Sequence, residues 1–172
     1  MYKSQEVYRE FTYENACHTS ILEFSEIQEN AIVIDSVSKR YSMCGARIGC
    51  IISKNAEFIS TAMKFAQARL SPPTLAQIAS TAAMDVGEEY FDSVINEYNE
   101  RRKTLIKGLN EIPGVKVSIP NGAFYCVVEL PVKNSENFAK WLLEDFSLNN
   151  ETIMVAPAAG FYSSLNLSLI HI

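Results

Sequence analysis

The sequence predicts an α/β chain, on three observations. Apolar runs at residues 31–34 and 48–52 are short and bounded by small polar residues, the pattern of buried strands. Segments with apolar residues every third and fourth position follow them, the pattern of helices laid against a core. A strand–turn–strand signal then occupies residues 115–130.

Taken in order, residues 4–11 read as the end of a strand and the start of a loop. Residues 15–30 form a polar connection, in which residues 23–30 are a helical turn or a loop. His18 has no partner of ligand type at useful spacing and reads as a surface histidine. The run 31–34 ends in the polar turn Asp35-Ser36-Val37-Ser38, and the second run follows at residues 48–52. Residues 55–70 place Phe58, Ile59, Ala62, Phe65 and Ala66 at helical spacing. Ser71-Pro72-Pro73 breaks that helix, and Pro73 opens another that runs from residue 74 to about 86, rich in alanine and closed by Gly87. This alanine content suggests close contact with another helix or subunit.

The longest helix spans residues 88 to about 111, with Phe91, Val94, Ile95, Tyr98, Leu105, Ile106 and Leu109 on one face. Its run Arg101-Arg102-Lys103 reads as a solvated face. Pro113-Gly114 ends it. Strands at residues 115–119 and 123–130 then flank the turn Pro120-Asn121-Gly122. Residues 134–146 form an amphipathic helix, with Phe138, Trp141, Leu142 and Phe146 sharing a face, and residues 152–156 a short strand.

The chain has 172 residues, 48% of them apolar, enough for a sizeable core in one ordinary domain or two small ones. Fifteen basic and twenty acidic residues give a net charge of −5, which argues against nucleic acid or an anionic membrane as partner. Four cysteines without metal-ligand spacing read as free thiols in a reducing compartment, and no metal site is expected. The polar start carries no secretory signal, and no apolar run reaches the length of a membrane span, so a soluble cytoplasmic protein is expected.

Chemistry concentrates in the connection between the two runs. Lys39, Ser36 and Ser38 stand there, and eight residues after the lysine comes Arg47, enclosed by Gly45 and Gly49. A lysine beside a cation at a core edge can serve as an amine nucleophile. A serine hydroxyl and a guanidinium fork suit a phosphate dianion. Together they suggest pyridoxal phosphate, whose aldehyde takes an amine and whose phosphate needs an anchor. A surface lysine and arginine flanking a strand turn is the other reading of the same residues.

Ser36-Val37-Ser38-Lys39 followed by Gly45-Ala46-Arg47-Ile48-Gly49 resembles the pyridoxal-phosphate attachment signature of class I/II aminotransferases. The likeness extends over residues 5–162, in the style of the bacterial aspartate aminotransferase-like branch. It implies the fold type I pyridoxal-phosphate-dependent transferase fold. Residues 1–87 would be the C-terminal part of a large cofactor-binding domain. Residues 88–162 would be an α+β small domain with its bridging helix.

The resemblance makes Lys39 the catalytic, Schiff-base lysine. It assigns cofactor contacts to Lys39, Arg47, Ser36, Ser38 and Tyr8, the tyrosine meeting the ring's 3-oxygen. In the family an aspartate facing the pyridine nitrogen stands where this chain has Gln5. Ser71 lies in a neighbourhood that the family places near the partner subunit's active site. The small-domain motif is matched by residues 120–125, and the turn beside the substrate entrance by residues 157–162. The implied reaction moves an amino group from an amino acid to a 2-oxo acid, in a full-length parent that is a homodimer. Two other readings are a non-catalytic aminotransferase-like module of a transcription regulator and a lyase of the same fold.

Two regions depart from the family. The segment that supplies most of the parallel sheet, a glycine-rich phosphate turn and a ring-stacking aromatic is not found ahead of residue 1. Residues 163–172 lack the arginine for the substrate α-carboxylate, and their last six resemble translated adapter sequence. The expectation is a C-terminal half, inactive alone, with a non-native tail and an exposed apolar patch at residues 31–34 and 48–52.

Overall fold

The computed structural model describes residues 1–162 and 169–172, and the chain divides into two compact units, Met1–Asn96 and Glu97–Ile172. The division falls inside one helix, whereas the sequence places the boundary between residues 87 and 88.

In the first unit β1 (Tyr2–Gln5) pairs in parallel with β2 (Ala31–Ser36), and β2 pairs antiparallel with β3 (Gly49–Ile52). Parallel pairing demands a long crossover. Residues 6–30 provide it, with single 3₁₀ turns at Ile21–Glu23 and Ser25–Asn30, the first closed by a Ser20–Glu23 capping box. β2 is the central strand, and Ala31, Ile32 and Val33 are buried with Val7, Phe11 and Tyr13.

The apolar patch expected at both runs is thus confined to the second. Hydrogen bonds and side chains cover β2 from both sides, while Ile51 and Ile52 of β3 stay exposed. The expected polar turn after β2 is a single helical turn, α1 (Val37–Arg40), capped by Ser36.

Three helices follow, α2 (Ala56–Arg69), α3 (Thr74–Ala83) and α4 (Glu88–Asn110). Asn55 caps α2, its side chain accepting from Phe58 N–H at 2.8 Å. The periodicity located these helices well, but it did not say what they pack against. Phe65 is 74% and Leu75 82% exposed, so the apolar stripes of α2 and α3 face outward in the described chain. No described helix is long and apolar enough to cross a membrane.

The second unit holds a four-stranded antiparallel sheet in the order β4 (Lys116–Val117), β5 (Val127–Glu129), β7 (Leu169–His171), β6 (Ala156–Pro157). Leu109, Cys126, Val128 and Ile170 form its core. The helix α5 (Ser135–Glu144) is capped by Asn134, which accepts from Glu136 N–H at 2.9 Å and Asn137 N–H at 3.0 Å. It buries Ser135, Ala139 and Leu142. Trp141, expected on the buried face, is exposed and stacks with Phe138.

The hairpin at residues 115–130 is antiparallel as expected, with Lys116 opposite Glu129, but its strands are shorter and its connection wider. Arg102 Nη1 donates to Pro120 O at 2.8 Å, and Phe124 stacks on Tyr98 at 4.9 Å between ring centroids. Both contacts draw the connection to α4 and away from a tight turn. Residues 163–168 of the segment set apart as a tail lie outside the described residues. Residues 169–171 supply β7, an interior strand of the sheet, where Ile170 is 1% exposed.

Ile170→Ala should therefore lower the unfolding free energy by about 2–5 kcal/mol, the range for emptying a packed isoleucine site. Urea denaturation followed by circular dichroism measures it. An unchanged midpoint would mean that the terminal segment does not occupy the sheet.

Candidate active site

The C-terminal end of β2 carries the chemistry. Asp35 is buried, and its Oδ1 accepts from Ser36 N–H at 2.7 Å. The Ser36 hydroxyl stands 2.8 Å from Ile48 O, 2.8 Å from Ser38 Oγ and 3.1 Å from Ser38 N. A hydroxyl has one hydrogen to give. Ser36 therefore donates to one oxygen and accepts from Ser38 N–H, and in doing so pins α1 to the start of β3. Gly49 lies opposite Ser36, and a Cβ there would meet Asp35 O at 3.0 Å. The glycine lets the two backbones close up.

Beside this turn is a cleft of about 610 Å³. Ser36, Ser38, Arg47 and Gln5 line it, and Ala62, Met63 and Ala66 of α2 form its apolar wall. The structure thus brings together four residues that are scattered from position 5 to position 47. Lys39 is half-buried on the same turn and Tyr8 is half-buried next to Phe11, but neither described residue lines the cleft. Ser71 is exposed ahead of α3 and does not line it, whereas Pro72 does.

Arg47 is exposed, and its Nη1 donates to Cys44 O at 3.0 Å. Its backbone is left-handed, φ 57° and ψ 40°. That conformation is uncommon for a residue with a Cβ, and it persists only where the surroundings hold it. Cys50 also lines the cleft, but burial and the charge of Asp35 push its thiol pKa up, so it is a poor nucleophile.

A phosphorylated pyridine fits this donor set at one end. Two hydroxyls and a guanidinium line one cleft, the donor types that suit a phosphate dianion. At Gln5 the cleft offers a neutral amide in place of a carboxylate.

Sequence reading passed over the charged groups behind the turn. Arg40 Nη2 lies 2.6 Å from Asp35 Oδ2, Arg40 Nε 2.8 Å from Glu10 Oε1, and Arg9 Nε 2.9 Å from Glu10 Oε1. His18 is at the surface, as expected, but it has a partner that the sequence did not show. The crossover folds back so that His18 Nε2 reaches Glu6 Oε2 at 3.1 Å, while Glu6 Oε1 accepts from Ile21 N–H at 3.0 Å. A carboxyl next to Gln5 at a strand end was the available signal. Its partners lie twelve and fifteen residues on, beyond any local pattern.

The family of aminotransferases class I and II matches residues 4–163. The chain is 33% identical over 162 residues to an aspartate aminotransferase of Pyrococcus horikoshii, covering 92% of this chain and 40% of that protein. It is 35% identical over 162 residues to a (5-formylfuran-3-yl)methyl phosphate transaminase of Methanocaldococcus jannaschii, covering 93% and 41%. A crystal structure from Methanococcus jannaschii, described as similar in its active site to kynurenine aminotransferases, superposes with a TM-score of 0.81 at 34% identity, covering 99% of this chain and 44% of that one. The chain spans about two fifths of the length of the curated relatives it matches.

Burial by itself raises the Glu6 pKa, but hydrogen bonds from Ile21 N–H, His18, Ser20 and Ser4 bring it below the ordinary 4.5. A carboxyl whose pKa falls on folding stabilises fully above its unfolded value, and that stability goes as pH drops through the folded value. Glu6→Gln should cost about 1.5–3 kcal/mol at pH 7, the range for hydrogen bonds to a charged group. It should also flatten the loss of stability below pH 4.5. Denaturation midpoints from pH 7 to pH 3 check both, and parallel curves for the two proteins would count against the pairing.

Proposed function

The chain belongs to the class I and II aminotransferase family, with its fold type I transferase fold, and from that premise we propose that it carries part of a site where an amino group passes from an amino acid to a 2-oxo acid. Membership of this family implies pyridoxal 5'-phosphate. The observation that supports the reading is the cleft at the end of β2, which Ser36, Ser38 and Arg47 line, with Lys39 beside it on α1 but outside the lining.

When bound, the cofactor supplies an aldehyde that takes up the amino group and a ring that withdraws electrons. In this proposal Arg47 would hold its phosphate, with the Ser36 and Ser38 hydroxyls as further donors. Lys39 Nζ would be the attachment point and, when free, would hold and move a proton at the substrate's α-carbon. The Tyr8 hydroxyl would hold the ring's 3-oxygen. Cytoplasmic location and a homodimer belong to the same proposal. The free cysteines Cys17, Cys44, Cys50 and Cys126 support a reducing compartment. Exposed Phe65, Leu70 and Leu75 would give a second copy an apolar face to bury.

Borohydride reduction of the cofactor-loaded protein should leave a pyridoxyl group on Lys39, and Lys39→Ala should abolish it. A group that persists on another lysine overturns the assignment. Arg47→Ala should weaken cofactor binding by about 1.5–3 kcal/mol, and Arg47→Lys should restore part of that, because a point charge lacks the fork. Unchanged affinity in both variants would make Arg47 structural.

Gln5 sets a second expectation. An amide cannot hold a proton on a pyridine nitrogen as a carboxylate does. The ¹⁵N resonance of the bound ring nitrogen should lie in the unprotonated range and move to the protonated range in Gln5→Asp. A protonated nitrogen beside Gln5 would sink this reading of the residue.

A further inference from the structure

We propose that Arg40 is a positioning residue that holds the two turns carrying Lys39 and Tyr8 in one fixed relation. The inference rests on the cofactor reading above. It is carried by the burial and connectivity of one guanidinium.

Arg40 follows Lys39 directly, and its side chain is 11% exposed. Its Nη2 reaches Asp35 Oδ2 at 2.6 Å. The other oxygen of Asp35 accepts from Ser36 N–H. One ion pair therefore clamps both ends of the segment that holds Ser36, Ser38 and Lys39. Asp35 is 7% exposed, so the pair is shielded from water and weakly screened by salt.

The same guanidinium makes a second contact, an ion pair of Nε with Glu10 Oε1 at 2.8 Å that lacks the alignment of a hydrogen bond. Glu10 lies two residues after Tyr8, in a turn closed by Phe11 N–H to Tyr8 O at 2.9 Å. Arg9 completes the group, 2.9 Å from Glu10 and 3.9 Å from Asp35. Two cations thus face two carboxylates, and Arg40 is the member that joins three chain segments.

Such a cluster is a poor source of stability, since desolvation offsets most of its attraction. What it provides is geometry. A planar guanidinium spreads its charge over separate nitrogens, so it can bond Asp35 through Nη2 and face Glu10 through Nε, which the compact charge of an ammonium does less well. With Arg40 in place the root of Lys39 is fixed relative to both the cleft and Tyr8.

The test compares the wild-type protein with Arg40→Lys, Arg40→Met and Glu10→Gln. Pyridoxal 5'-phosphate affinity is read by fluorescence quenching, and backbone amide exchange by mass spectrometry, both well below each variant's melting temperature. Arg40→Met should bind the cofactor at least about tenfold more weakly, the scale of a misplaced reacting group. Its amides at residues 36–41 and 8–11 should exchange faster. Arg40→Lys should recover part of both effects.

A variant that melts lower but keeps wild-type affinity and exchange would overturn the proposal, because that is the signature of a merely structural ion pair. If Arg40→Met does not fold, Glu10→Gln decides. It leaves the Asp35 contact in place, so it should loosen residues 8–11 and weaken binding, and no change in either overturns the strut. A wild-type protein that fails to bind the cofactor defeats the cofactor reading and this inference together. Normal binding with unaffected variants defeats this inference alone.

Discussion

Strand β2 is hydrogen-bonded along both edges, and the candidate site hangs from its polar end. Parallel pairing with β1 sets Gln5 opposite Ile34, and antiparallel pairing with β3 sets Ser36 opposite Gly49. Those two registers bring Gln5 and the lysine turn to the same cleft. A one-residue slip in either would reverse which side chains face the core. Ala31 and Val33 on one face of β2 and Ile32 on the other are all buried, and this packing fixes where the polar residues emerge.

Beyond that end the backbone has little freedom. Ser36 commits its hydroxyl to Ser38 and Ile48, Asp35 commits both oxygens, and Arg47 is held in the left-handed region. Each constraint is modest alone, and together they determine the turn between β2 and β3 over a dozen residues. A loop over-determined in this way keeps functional groups in place before any ligand arrives, which is how binding sites avoid an ordering cost. Glu6 and His18 do the same for the crossover, tying a polar segment to the strand end beside Gln5.

The two units differ in how they satisfy their apolar surface. The second closes a core around Val128 and Ile170, with α4 and the sheet contributing Leu109 and Cys126. The first buries Ala31, Ile32 and Val33 of β2 and leaves Ile51, Ile52, Phe65 and Leu75 in solvent.

Local chemistry was legible in the sequence. Periodicity located α2, α4 and α5 to within two residues at each end, because a helix is built from contacts three and four residues apart. The serine–lysine–arginine spacing pointed to the connection between β2 and β3, because those residues lie within a dozen positions of one another. Tertiary structure decided the rest. It decided that the connection after Val117 is wide, since Arg102 and Tyr98 of α4 hold it. It decided that His18 is paired and that Trp141 is exposed. It also decided that Arg40, indistinguishable in sequence from a surface cation, is largely covered and set between carboxylates at positions 10 and 35. Ion pairs between distant residues leave no periodic trace, and burial depends on what the rest of the chain places overhead.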